Sequence, residues 1–262
     1  MKKTALILLV AMAAGCLFAQ PAAEKQVAKT DLIVFAAASM TETLTKIKEM
    51  YETAHPEVNI LYNFDSSGTL KTQIEQGADC DLFVSAALKQ MNQLDELKMV
   101  DNTTRVNLLE NKTALAVPSG NPKGITGFDQ LAALLKEGKV FLAIGNSDVP
   151  VGQYTQKIFA YYGIEESVVA SCLTYGSNVK EVTTQVSAAS VDCGIIYATD
   201  AFSAGLQVVD TATQEMTGGR VIYPAAVLSG ARNAQAAKQF LEYLESDAAM
   251  EVFSSVGFAS AL

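Results

Sequence analysis

Side chains that donate protons, bind metals or carry positive charge are the scarce ones in this chain. Of 262 residues, one is histidine and four are cysteine; the 19 lysines and arginines are outnumbered by 28 aspartates and glutamates. Each shortage excludes a class of function. A serine nucleophile needs a base within reach, and His55 is the only imidazole available to supply one. His55 precedes Pro56 in "YETAHPEVNI", a helix-to-strand turn, and reads as a surface loop residue. No C-x-x-C spacing is present, so a zinc site lacks its usual ligands. A net charge of −9 argues against nucleic acid or an anionic membrane surface as partner, since both need clustered Lys/Arg. A small anion is still compatible, because a buried site responds to local dipoles more than to distant surface charge.

Long apolar runs are also few. The single one, "TALILLVAMAAG", follows the basic "MKK" and reads as the core of a secretory signal, too short for a comfortable membrane span. It ends in "AAGC", a lipobox-like pattern with Ala13 where leucine is usual, and this makes Cys16 the candidate for lipidation. The alternative is ordinary cleavage nearby and a free exported protein. Residues 1–30 are therefore expected to be signal and tether, outside the fold. Of the other three cysteines, Cys172 and Cys193 lie in apolar strand-like runs. They pair only if those strands are neighbours; three buried thiols is the plainer reading.

What is present is a strand–helix rhythm. "LIVFAAA", "VNILYNF", "DLFVSA" and "TALAV" read as strands, separated by helices such as "MTETLTKIKEMYETA", whose Leu44, Ile47 and Tyr51 share a face. After the turn-rich "PSGNPKGITG" the rhythm restarts, and it ends in two helices. Alternation of this kind implies an α/β fold with mostly parallel sheet. Two such units suggest two lobes with a cleft between them. In open α/β sheets ligands sit beyond the C-terminal ends of strands, where helix N-termini point.

Four strand-to-helix turns share a character. The first holds Ser39, with Glu42 three residues on, a spacing that also fits a plain capping box. The second, "NFDSSGTLKTQI", crowds Ser66, Ser67, Gly68 and Thr69 where one cap suffices. "VPVGQYTQKI" offers the backbone amide of Val151, and "GSNVKEV" that of Val179. All supply neutral donors. None has the P-loop or dinucleotide spacing. "SNVK" fits S-x-x-K without the companion elements of that enzyme class, and Asp79 and Asp81 are the only carboxylate pair worth weighing for catalysis.

"VFAAASMTETL", "NFDSSGTLKTQIEQGADCDLFVSA", "VPVGQYTQKI" and "CGIIYATDA" together resemble the molybdate-binding proteins of bacterial ABC importers, from about Leu32 to the C-terminus. The resemblance implies a bilobed, type II-like periplasmic binding protein fold with a central cleft, its lobes joined by two hinge crossings near Ala116–Pro118 and Tyr223–Pro224, so that 31–116 plus 225–262 form one lobe and 117–224 the other. It implies a non-enzymatic, monomeric exported protein without a cofactor, which binds molybdate or tungstate and hands it to a membrane permease. Its ligand set, carried over, is Ser39, Ser67, the amides at Val151 and Val179, and the Tyr197 hydroxyl. No side chain is expected to bind metal directly, and the only membrane link expected is a lipid on Cys16. Asp65 departs from the family by placing a carboxylate beside the site and is expected to point away. Sulfate or another small anion on the same fold is the nearest alternative; an exported hydrolase and a ligand-free scaffold are more distant ones.

Overall fold

The computed structural model describes residues 29–262; the signal, Cys16 and most of the tether lie outside the described residues. The chain starts with strand β1 (Thr30–Ala37), a 3-10 turn (Ala38–Met40) and helix α1 (Thr41–Ala54). It continues through β2 (Val58–Asp65), α2 (Ser67–Glu75), β3 (Leu82–Val84), α3 (Leu88–Glu96) and β4 (Val106–Asn111). A second run follows: β5 (Thr113–Val117), α4 (Phe128–Lys136), β6 (Leu142–Gly145), α5 (Pro150–Tyr161), α6 (Glu166–Val169) and β7 (Leu173–Gly176). It closes with α7 (Val179–Ser187), β8 (Cys193–Tyr197), α8 (Ala198–Ser203), β9 (Gln207–Thr211) and α9 (Gln214–Thr217). The last elements are β10 (Val221–Val227), α10 (Ala234–Leu244), α11 (Asp247–Ser254) and β11 (Ala259–Ser260).

These strands form two sheets, ordered β11-β4-β10-β3-β1-β2 and β7-β6-β8-β5-β9. The apolar centre of each is parallel, β1 with β2 and β3, and β6 with β7 and β8. Helices cover these strands, so residues such as Leu32, Val34, Leu142 and Ala143 are fully buried. In α1 the face carrying Leu44, Ile47 and Tyr51 is the buried one, as its spacing predicts.

Two features depart from the sequence reading. Both sheets are mixed: β10 runs antiparallel to β3 and β4, and β5 antiparallel to β8 and β9. The chain also changes sheets earlier than expected, at Lys112 between β4 and β5, and returns between β9 and β10. "TALAV" closes the first unit only in local pattern; strand pairing puts it in the second sheet, with Thr113 opposite Tyr197. Tyr223–Pro224 falls inside β10, where a register shift accommodates the proline that cannot donate to the ladder.

Cys80, Cys172 and Cys193 are buried free thiols. Strand β6 lies between β7, next to Cys172, and β8, which starts at Cys193. The neighbouring-strand condition for a disulfide is therefore not met. Among the described residues no helix is long and apolar enough to cross a membrane.

Candidate functional site

Ser39, Ser67, Val151, Val179 and Tyr197 all line one small cavity, together with Ala37, Ala38, Asp65, Ser66, Ala86, Val149 and Pro150. The first sheet contributes the turns after β1 and β2. The second contributes the N-termini of α5 and α7 and the end of β8. The cavity is small, about 10 Å³, close to the least space that holds one water-sized group. Larger hollows of about 400 and 430 Å³ hold none of the five residues.

Local chemistry explains how these donors come to stand at the cavity without being used up by their own helices. In the second turn the cap is Ser66, whose Oγ accepts the Thr69 amide at 3.1 Å. Ser67, the first helical residue, is thereby free of capping. Its Oγ accepts the Ala86 amide at 2.9 Å, which leaves its proton for a further acceptor. In α5, Pro150 occupies the first helical position, where a missing N–H costs nothing. The amide of Val151 follows in the first turn, without an intrahelical acceptor. In α7 the cap is Asn178, accepting the Glu181 amide at 3.2 Å, and Val179 is the first helical residue. Helix N-termini carry partial positive charge, so those of α2, α5 and α7, brought together at this cavity, favour negative charge there.

Ser39 is not a helix cap, contrary to the capping-box reading. A 3-10 turn precedes α1 and holds Ser39 at its middle; Met40 stands at the cap position with no side-chain bond. Its would-be partner Glu42 instead reaches Lys180 of α7 at 2.7 Å. The Ser39 hydroxyl lies 2.9 Å from the Tyr223 hydroxyl, a partner that sequence spacing did not suggest. Tyr223 also receives a bond from Asn111 Nδ2 at 3.2 Å.

Tyr197 ends β8, is 1% exposed, and its hydroxyl has no hydrogen-bond partner. A buried donor left unpaired costs ~1–3 kcal/mol, which marks the cavity as a place where an acceptor is wanted. Burial first, and the neighbouring Tyr223, Tyr154 and Asp200, push its ionisation well above the ordinary tyrosine range. The group therefore stays a donor. Asp65 does border the cavity, although the sequence reading turns it away. Its Oδ1 accepts from the Ser66 amide at 2.7 Å and from Asn178 Nδ2 at 3.3 Å, so two donors draw on its negative charge. No lysine, arginine or histidine is among the lining residues.

The residues weighed for catalysis have other work. Asp81 is buried and accepts the amides of Ile33 and Asn233 at 2.9 and 2.8 Å. Asp79 pairs with Arg232 at 2.7 Å. Lys180 is held between Glu42 and Asp200, at 2.7 and 3.1 Å. His55 stacks on Tyr51 beside Glu57.

The sequence pattern of the bacterial extracellular solute-binding proteins matches residues 32–259. A putative ABC transporter substrate-binding lipoprotein of Bacillus subtilis is 33% identical over 251 residues, 95% of this chain and 94% of its own length. A molybdate-binding protein of Haemophilus influenzae is 33% identical over 265 residues, 99% of this chain and 100% of its own. Among solved structures, the substrate-binding domain of a putative molybdenum ABC transporter from Clostridium difficile superposes with a TM-score of 0.66 at 31% identity, covering 88% of this chain and 99% of that one. With the match running almost from β1 to the C-terminus, the chain belongs to the family of bacterial extracellular solute-binding proteins.

Proposed function

We propose that this chain captures molybdate, or the isostructural tungstate, outside the cytoplasmic membrane and delivers it to the membrane permease of an ABC importer. The observation that carries the reading is the set of residues around the cavity: Ser39, Ser67 and Tyr197 with their hydroxyls, that of Tyr197 buried without a partner, Val151 and Val179 at helix N-termini, no cation, and one carboxylate, Asp65, whose Oδ1 is already taken up by the Ser66 amide and Asn178. Such a site offers donors and suits an anion that only accepts. Molybdate and tungstate carry no proton near neutral pH. Hydrogenphosphate carries one, which would face a donor and lose a hydrogen bond. The small chamber excludes sugars and peptides.

The energetics support the reading without a salt bridge. Hydrogen bonds to a charged group contribute ~1.5–3 kcal/mol each, helix N-termini ~0.3–1 kcal/mol apiece, against an association cost of ~4 kcal/mol or more. A surplus on the order of −8 kcal/mol corresponds to micromolar affinity. Ser39 and Ser67 come from one lobe, and Val151, Val179 and Tyr197 from the other. An anion bridging them stabilises the closed form, since only that form makes every contact. In this reading the protein acts as a monomer, needs no cofactor because the metal is cargo, performs no turnover, and is tethered to the membrane by a lipid on Cys16. Relatives named for molybdate binding point the same way.

Calorimetry of the purified protein with molybdate, tungstate, sulfate and phosphate tests this. Molybdate and tungstate are expected to bind at micromolar concentration or below, with phosphate silent. Absence of heat with molybdate would sink the reading; preference for sulfate, which has the same charge and shape with shorter bonds, would move the assignment to that anion.

A further inference from the structure

The hydrogen-bond chain behind Ser39 has a fixed direction. It starts at the amide of Lys112, a donor only, which bonds Asn111 Oδ1 at 2.8 Å. That bond sets the orientation of the Asn111 amide, so its Nδ2 must donate. It does so twice, to Thr199 Oγ1 at 2.9 Å and to the Tyr223 hydroxyl at 3.2 Å. Tyr223 is fully buried and has one proton of its own. Among the described residues the acceptor in bonding reach of that proton is Ser39 Oγ, at 2.9 Å. Leaving the proton unpaired would cost ~1–3 kcal/mol, so Tyr223 donates to Ser39. One lone pair of Ser39 is thus engaged from behind, and its own proton, which cannot then be spent on Tyr223, is left for an acceptor in the cavity that Ser39 lines.

We infer that Asn111 and Tyr223 are positioning residues that keep the Ser39 proton free for the cavity, and that this reserved donor favours an oxyanion bearing no proton. The inference rests on the reading of the cavity as an oxyanion site. Were Ser39 free to rotate, it could accept from a protonated anion as readily as donate to a bare one, and the lining would lose part of its discrimination. Both residues flank the passages between sheets: Asn111 ends β4 just before Lys112, and Tyr223 lies near the start of β10.

The test is calorimetric titration of molybdate in the presence of millimolar hydrogenphosphate, which reads a hydrogenphosphate affinity too weak to give heat at micromolar concentration. Tyr223→Phe is expected to weaken molybdate about tenfold and to leave hydrogenphosphate unchanged or tighter, so that the ratio of the two affinities narrows by about the same factor. In a Ser39→Ala background the same change should have little further effect on molybdate, because Tyr223 acts through that hydroxyl. Equal weakening of both anions, or losses that multiply independently in the double variant, would overturn the inference. If Tyr223→Phe does not fold, Asn111→Leu, which keeps the shape and removes the donor, is read by the same two criteria. Failure of the unaltered protein to bind molybdate would refute the oxyanion reading itself. Binding with an unchanged ratio in the variants would refute only the role of Asn111 and Tyr223.

Discussion

Single hydroxyls carry most of the specific chemistry, and each has a different second role. Ser67 accepts the Ala86 amide, so Ser67→Ala should weaken molybdate by about 1–3 kcal/mol and also lower stability, by leaving that amide unpaired. Unchanged affinity by calorimetry would remove Ser67 from the site. Tyr197 has no partner to lose. Tyr197→Phe should therefore weaken binding while the melting temperature of the ligand-free protein holds or rises; a marked fall would make Tyr197 a core residue only. The turns marked Ser39 and the Ser66–Thr69 cluster as donors, and the family resemblance alone singled out Ser39 and Ser67 among them; both line the cavity. The support of Ser39 was not legible, since Tyr223 is 184 residues away and nothing local marks it.

At the scale of elements, the site is a meeting of helix N-termini, and close approach matters more than any one cap. Helix α2 packs its first turn against the loop before α5. A Cβ added at Gly68 would lie 2.2 Å from the carbonyl oxygen of Asp148. That atom is backbone and cannot swing aside. Gly68→Ala is expected to hold the two sides apart, weakening molybdate binding at least tenfold, with thermal stability of the ligand-free protein close to normal. Unchanged affinity would mean that these elements need not approach so closely. The sequence pattern found most of the helices and the buried strands. It passed over β4 and β9, and it took the residues after Tyr197 for a loop where α8 forms. Strand β9 is an edge of its sheet and α8 has only six residues, so both owe their form to their partners more than to their own periodicity; β4 lies inside the first sheet, held between β10 and β11.

For the whole molecule, direct side-chain contacts join the two sides around the cavity. Asn178 reaches Asp65 at 3.3 Å, Gln90 reaches Gln153 at 3.4 Å, and Lys180 of α7 spans from Glu42 of α1 to Asp200 of α8. Asp200 is fully buried, and that desolvation, only partly offset by Lys180, raises its pKa from 3.8 to about 6. The sign follows from linkage. Between about 4 and about 6 the native state holds the Asp200 proton and the unfolded state does not. This residue's contribution to stability therefore falls as pH rises through that window and stays low above it, by ~3 kcal/mol at most. Denaturant midpoints measured across the window should show the fall, and Asp200→Asn should flatten it. A slope that persists in the variant would assign the effect to other carboxylates.

By itself the amino-acid sequence determined what local patterning can encode: an α/β chain, buried central strands, and four turns that present neutral donors while lacking any cation. Those properties depend on neighbours within a turn or two of helix or strand. Tertiary structure alone decided which strands share a sheet, where the chain changes sheets, and that Asp65 borders the cavity. It also decided that Ser39 is oriented by Tyr223 and Asn111 instead of capping α1. The physical reason is the same throughout. A hydrogen bond or a strand pairing is satisfied by whichever partner folding brings within 3 Å or so, and a partner far along the chain leaves no trace in the periodicity of the residues it serves.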